Sequence, residues 1–151
     1  MRKEELLNTL DKLIKDEKDL EILFLKYVDV DISAEMKEKY KKRLFPIEYQ
    51  TWYSKSLEII KVFLNDRLQE FINQYEPVKN RKALSLLNYT IYDAIMGVSY
   101  STATPKSAYM KLMVQFEILS SVRDVIDEEI NEITSMLEFD VFEKELDSAK
   151  H

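Results

Sequence analysis

The side chains best suited to chemistry are few in this chain, and their spacing serves it poorly. Cysteine is absent and the one histidine is His151, which excludes a thiolate nucleophile, sulfur-ligated zinc and an internal imidazole base. The single glycine, Gly97, leaves no glycine-rich loop to cradle a phosphate, and no serine stands in a nucleophile elbow. Asp124, Asp127, Glu128, Glu129 and Glu132 recur at spacings of three and four, a pattern that could ligate a hard cation. A di-metal bundle also draws histidines inward from several helices, so the acidic run reads instead as the solvated face of a long helix. No catalytic residue, metal site or cofactor is assigned.

Two further groupings point to binding rather than reaction. Lys37, Lys39, Lys41, Lys42 and Arg43, with Tyr40 among them, could join Arg67, Lys79, Arg81 and Lys82 in one positive face that contacts nucleic-acid phosphate. Against that stand a net charge of −6 and the ordinary fate of a charged helical run, which is a solvated surface. Tyr49, Trp52 and Tyr53, followed by Phe71 and Tyr75, are rigid amphipathic rings of the kind that anchor interfaces. Their plainer reading is a core face whose hydroxyls reach the water boundary. Asp66, Arg67 and Glu70 are spaced for ion pairs on one turn.

These groups must be carried by helices. Hydrophobic residues make up 46 % of the 151 residues and charged residues 33 %, enough for one core with solvated outer faces. Near-absence of glycine argues against hairpins, and the prolines Pro46, Pro77 and Pro105 sit where helices start or stop. The expectation is an all-α, single-domain, multi-helix bundle over residues 1 to 151.

Apolar spacing predicts a helix over residues 2 to 16, ended by the charged punctuation Asp16 to Asp19. A second short helix over residues 20 to 28 follows, with a strand through Val28, Asp29 and Val30 as the alternative. Ser33 caps a helix from Ala34 to Leu44 whose basic last turns complement the helix dipole. Pro46 opens one to residue 64, and Asn65 or Asp66 caps a stretch that Pro77 stops. Pro77 to Arg81 is a loop, Asn88 with Thr90 caps a short helix, and Gly97 is its left-handed terminator. No apolar run is long enough to span a bilayer and Met1 to Glu5 lacks a signal peptide, so a cytoplasmic location is expected.

Thr104 and Pro105 open the longest regular pattern. Leu112, Phe116, Leu119, Ile126, Ile130, Ile133 and Leu137 alternate at four- and three-residue intervals, with Arg123 at the one polar register position. A helix over residues 105 to 137 is about 50 Å long, either the spine of a bundle or a rod that meets a partner. Glu138, Phe139 and Asp140 interrupt the seam, and Asp140 with Glu143 reads as the cap of a last, unfinished helix. The expectation is an N-terminal fragment of a longer protein.

Tyr49-Gln50-Thr51-Trp52-Tyr53, then Asp66-Arg67-Leu68-Gln69-Glu70-Phe71, Tyr75 and Phe139 to Ala149 give residues 40 to 151 a resemblance to a helical region of uncharacterised bacterial proteins. There the region precedes a HEPN-like domain. The resemblance implies a toxin or defence context, with RNA cleavage or helical dimerisation performed by the neighbouring domain. The family's arginine–histidine signature is absent, since Arg123 and His151 are far apart, so no active-site residue is carried over. The reading is therefore a non-catalytic interaction or regulatory module whose protein partner is a second copy or a missing C-terminal domain. The alternative is the RNA-binding half of a HEPN-type ribonuclease.

Overall fold

A computed structural model describes residues 3 to 150, and within the last helix it leaves the side chains at 130, 132 to 135 and 138 to 150 undescribed. The chain is an all-α multi-helix bundle with a long C-terminal helix. Its helices are α1 (Lys3–Tyr27), α2 (Ala34–Lys39), α3 (Phe45–Phe63), α4 (Leu68–Tyr75), α5 (Ile91–Ile95) and α6 (Tyr109–Lys150). Short 3-10 turns at Asn65–Arg67 and Pro105–Ala108 lead into α4 and α6.

Two expected helix breaks do not occur, for the same reason. α1 runs unbroken through Asp16 to Asp19, and α6 through Glu138 to Asp140. Neither stretch contains glycine or proline, and charged side chains alone do not interrupt backbone hydrogen bonding. Lys12 and Asp16 even pair across one turn at 3.0 Å. The real end of α1 is a Schellman turn, in which Val30 N–H donates to Leu25 C=O at 2.9 Å and Asp29 takes φ +62°. That turn, not a strand, occupies Val28 to Val30. Gly97 closes α5 in the same way, with φ +70° and Val98 N–H donating to Asp93 C=O at 3.0 Å.

α2 stops at Lys39, well before Leu44. Ser33 caps it as expected, accepting from Met36 N–H at 3.2 Å. Tyr40 then turns into the core, and the Lys26 ammonium, reaching from α1, donates to the carbonyls of Tyr40, Lys41 and Arg43 at 2.7, 3.3 and 3.1 Å. Those three carbonyls are satisfied from outside, so no further helical turn is needed to satisfy them.

The core is shared by α1, α3 and α6, each packed on the other two, with α4 closing against α3 and α6. Ion pairing of Asp11 with Arg123 (2.8 Å) and a hydrogen bond from Tyr109 to Glu21 (3.1 Å) set α1 and α6 antiparallel. The polar register position in the α6 seam is thus met by a carboxylate on α1. At 42 residues α6 is about 63 Å long. No strand occurs among the described residues, and no described helix is long and apolar enough to cross a membrane.

Nothing crowds a β-carbon added at Gly97, so alanine there meets only the cost of its left-handed backbone. Gly97→Ala is expected to lower unfolding free energy by about 1 kcal/mol in urea titration. Asp29→Gly, which relieves the equivalent strain in α1, is expected to raise it or leave it unchanged.

Candidate functional site

The aromatic group forms the inside of the bundle. Tyr49, Trp52, Tyr53 and Phe71 are buried and Tyr75 half-buried. Phe45 stacks on Tyr49 at 5.1 Å, Tyr53 on Phe71 at 5.4 Å, and Trp52 meets Phe116 edge-on at 5.3 Å. The polar atoms of Trp52 and Tyr49 are answered within the chain. Trp52 Nε1–H donates to Leu13 C=O at 3.0 Å, Tyr49 O–H donates to Gln115 Oε1 at 2.6 Å, and Gln115 Nε2 donates to Phe71 C=O at 2.9 Å. Burial holds both the Tyr49 and Tyr53 phenols above their usual range. These rings are core, with Tyr75 at the edge accepting from Gln50 at 2.8 Å.

The cationic residues divide sharply by type. Arg43 grips Glu48 through Nη2 (2.6 Å) and Nε (3.0 Å), reaches Asp19 at 3.3 Å, and lies 5.1 Å over the Tyr40 ring. Asp19 is held below the usual carboxylate range, first by the Tyr40 hydroxyl at 2.7 Å and then by Arg43. Arg67 donates to both Glu70 and Glu117, tying the 3-10 turn to α6. Arg81 donates to both oxygens of buried Asp93, at 2.6 and 2.9 Å. Burial pushes Asp93 up, but hydrogen bonds from Arg81 and from the backbone and side chain of Thr90 outweigh it and leave the carboxyl low. The three arginines are therefore structural ties. Lys39, Lys41, Lys42, Lys79 and Lys82 are exposed, and Lys37 meets Asp31 at the surface at 3.3 Å.

A groove of about 330 Å³ between α1 and α3 has Leu13, Leu20 and Trp52 along its lining, and charged Lys12, Asp16, Asp19, Arg43, Glu48 and Lys55. Most of these charges already pair with one another. The acidic run on α6 is exposed over Asp124, Asp127, Glu128 and Glu129, with Asp127 3.3 Å from Arg123. No group of three or more potential metal ligands converges among the described residues; Glu132 lies outside the described side chains.

The apolar seam of α6 has two fates. Leu112, Phe116, Leu119 and Ile126 are buried in the chain's own core, so they offer nothing to a partner. Leu137 and its neighbour Met136 are 60 % and 68 % exposed. Ile130 and Ile133 lie outside the described side chains.

Two features escape inspection of the sequence. Glu17 continues the α1 series Leu10, Leu13, Leu20 and Phe24, so a carboxyl stands where a leucine would. Its Oε2 is buried without a hydrogen-bond partner among the described residues. The other feature is the turn at Leu86 and Leu87, 54 % and 89 % exposed, within a stretch that has no helical periodicity. Two adjacent leucines between Ser85 and Asn88 are its only sequence signal. No family model, curated protein or solved structure matches the chain.

Removing the Arg81 guanidinium strands the Asp93 carboxylate in the interior, so Arg81→Ala is expected to cost about 3 kcal/mol in urea unfolding. Lys79→Ala and Lys82→Ala should stay within about 0.5 kcal/mol. Equal effects at all three positions would show that the buried pair is not a structural tie.

Burial raises the Glu17 carboxyl from 4.5 to about 8, so the folded chain holds a proton that the unfolded chain releases. Its contribution to stability is complete below about pH 4.5 and is lost as pH rises toward about 8. Asp19, Asp93 and Glu117, whose values are lowered, act below that window. The urea midpoint is expected to fall between about pH 5 and about pH 8, and Glu17→Gln to flatten that fall. An undiminished slope in the variant would refute the assignment.

Proposed function

We propose that this chain is a non-catalytic interaction module in which the bundle holds α6 rigidly and the far end of α6 docks on another polypeptide. The observation that carries the reading is the divided seam. One helix is anchored by Leu112, Phe116, Leu119 and Ile126, and continues to Met136 and Leu137 with their side chains in solvent. Large apolar residues held exposed on a rigid rod are characteristic of a surface awaiting a partner. The resemblance to the helical region that precedes HEPN-like domains is in keeping with such a role, in a cytoplasmic toxin or defence protein. It adds context without supplying a catalytic residue.

A second reading, an RNA-holding half of a HEPN-type ribonuclease, is favoured by the exposed lysines at 39, 41, 42, 79 and 82. Filter binding across a salt series separates the two, because phosphate contacts weaken steeply with salt.

For the docking role, sedimentation velocity of the 151-residue chain should show mass rising with concentration. Met136→Asp combined with Leu137→Asp should return it to monomer with unchanged helicity. A wild-type chain that remains strictly monomeric at high micromolar concentration, and that gains no mass with any further segment of its own polypeptide supplied in trans, would overturn the proposal.

A further inference from the structure

The C-terminal half of the chain sets out its charge in two opposing blocks, whereas residues 1 to 76 intersperse 14 cations with 16 carboxylates. Residues 77 to 116 contain five Lys and Arg side chains and one carboxylate, Asp93. Since Asp93 is buried and bound by Arg81, the charges this stretch shows to solvent are all positive. Residues 124 to 149 contain ten carboxylates and one cation, Lys144. Exposed apolar residues stand in both blocks, as they also do elsewhere at Leu44, Ile47 and Val62. Val78, Leu86, Leu87, Met96, Tyr100 and Met110 crowd the cationic block, while Met136 and Leu137 stand on the acidic one.

The cationic block has a rigid centre. Leu86 and Leu87 occupy the tip of a turn in which Asn88 Oδ1 accepts from Ser85 N–H at 2.8 Å and Asn88 Nδ2 donates to Ala83 C=O at 2.7 Å. From outside the turn, Arg81 donates to Asn88 C=O at 3.2 Å and Lys111 donates to Leu87 C=O at 3.1 Å. The last contact sets the tip beside the start of α6, the turn of helix on which Met110 is exposed. A tip fixed this firmly loses little conformational entropy when it docks, so its apolar area is available to a partner at low cost. Leucines in a solvent-facing turn otherwise have no local role, since turn positions favour Gly, Asn, Asp and Pro.

Resting on the docking role of α6, we infer that the Leu86–Leu87 turn, with Met110, Lys82 and Lys111, receives the acidic apolar end of α6 from a second copy of this chain. The two surfaces complement each other in charge and in apolar character, and both belong to every copy. Lys111 and Met136 are separated by about 38 Å of α6, so two copies approaching with α6 antiparallel bring both pairs of surfaces together at once. Such a reciprocal contact closes as a two-fold dimer and leaves no surface open for further growth. An anionic lipid surface would match the cationic turn alone, and would repel both the acidic end and a chain of net charge −6.

The test places a photo-reactive benzoylphenylalanine at position 87 in a mixture of isotopically light and heavy copies of the chain. The expected cross-links join light to heavy chains and map to peptides within residues 124 to 149; cross-links confined to one copy, or mapping elsewhere, overturn the inference. Leu87→Asp, at a position with almost no contacts to lose, should retain wild-type helicity and weaken self-association about 30-fold. Lys82→Glu should weaken it less, and raising salt from about 50 to about 500 mM should weaken the wild type further. If Met136→Asp with Leu137→Asp dissociates the chain while Leu87→Asp does not, α6 docks but this acceptor is wrong. If neither variant changes the mass, both readings fall. Co-sedimentation with phosphatidylserine-containing vesicles that Leu87→Asp abolishes would overturn the inference in favour of a lipid surface.

Discussion

Trp52 carries the contact on which the arrangement of the long helices depends. Its indole N–H bonds the carbonyl of Leu13 in the middle of α1, and its ring meets Phe116 of α6 edge-on. One side chain on α3 thereby addresses both neighbouring helices. A buried indole without an acceptor loses more than the hydrogen bond, because the desolvated N–H stays unpaired. Helix faces that are merely apolar can slide along one another; a directional bond to a single carbonyl sets α3 at one height along α1. Gln115 does the same one turn away, since its amide takes the Tyr49 hydroxyl with one end and the Phe71 carbonyl with the other. α3, α4 and α6 are registered together by that one amide.

Within this frame the arginines and lysines perform different work. Arg43, Arg67 and Arg81 each hold a carboxylate in bidentate fashion and join segments far apart in sequence. The planar guanidinium suits that geometry, whereas a lysine ammonium acts as a hydrated point charge. Lys26 is the instructive exception, a lysine that turns its three donors to three carbonyls and so ends α2. The lysines at 39, 41, 42, 79 and 82 remain in solvent.

Much of the fold was legible in the sequence because helix ends are written locally. Ser33, Thr90 and Gly97 act at the termini where their side chains or backbone freedom are needed, Pro46 sits in the first turn of α3, and Pro77 lies just past the end of α4, where their missing N–H groups cost nothing. What could not be read was non-local. The early end of α2 depends on Lys26, and the commitment of Arg81 depends on Asp93 and on the cap it forms with Thr90. The runs Asp16 to Asp19 and Glu138 to Asp140 looked like punctuation because charge density marks loops by correlation, while helices are broken by backbone chemistry. For the candidate surfaces, periodicity revealed the seam of α6 but could not divide it between core and solvent. It passed over Leu86 and Leu87 altogether, since a turn has no period.

The stretch between Pro77 and α6 has only one short helix and a 3-10 turn, and a buried salt bridge joins several of its polar links. Arg81 holds Asp93, Asp93 closes the cap at Thr90, and the same Arg81 braces the carbonyl at the foot of the leucine turn. A segment with so few helical bonds and a buried ion pair at its centre opens as a cooperative unit rather than residue by residue. Its amide protons would then exchange with solvent as one set, at a lower opening free energy than those of α1, α3 and α6. Loss of that pair would take the cap at Thr90 and one brace of the leucine tip while the three long helices stayed packed.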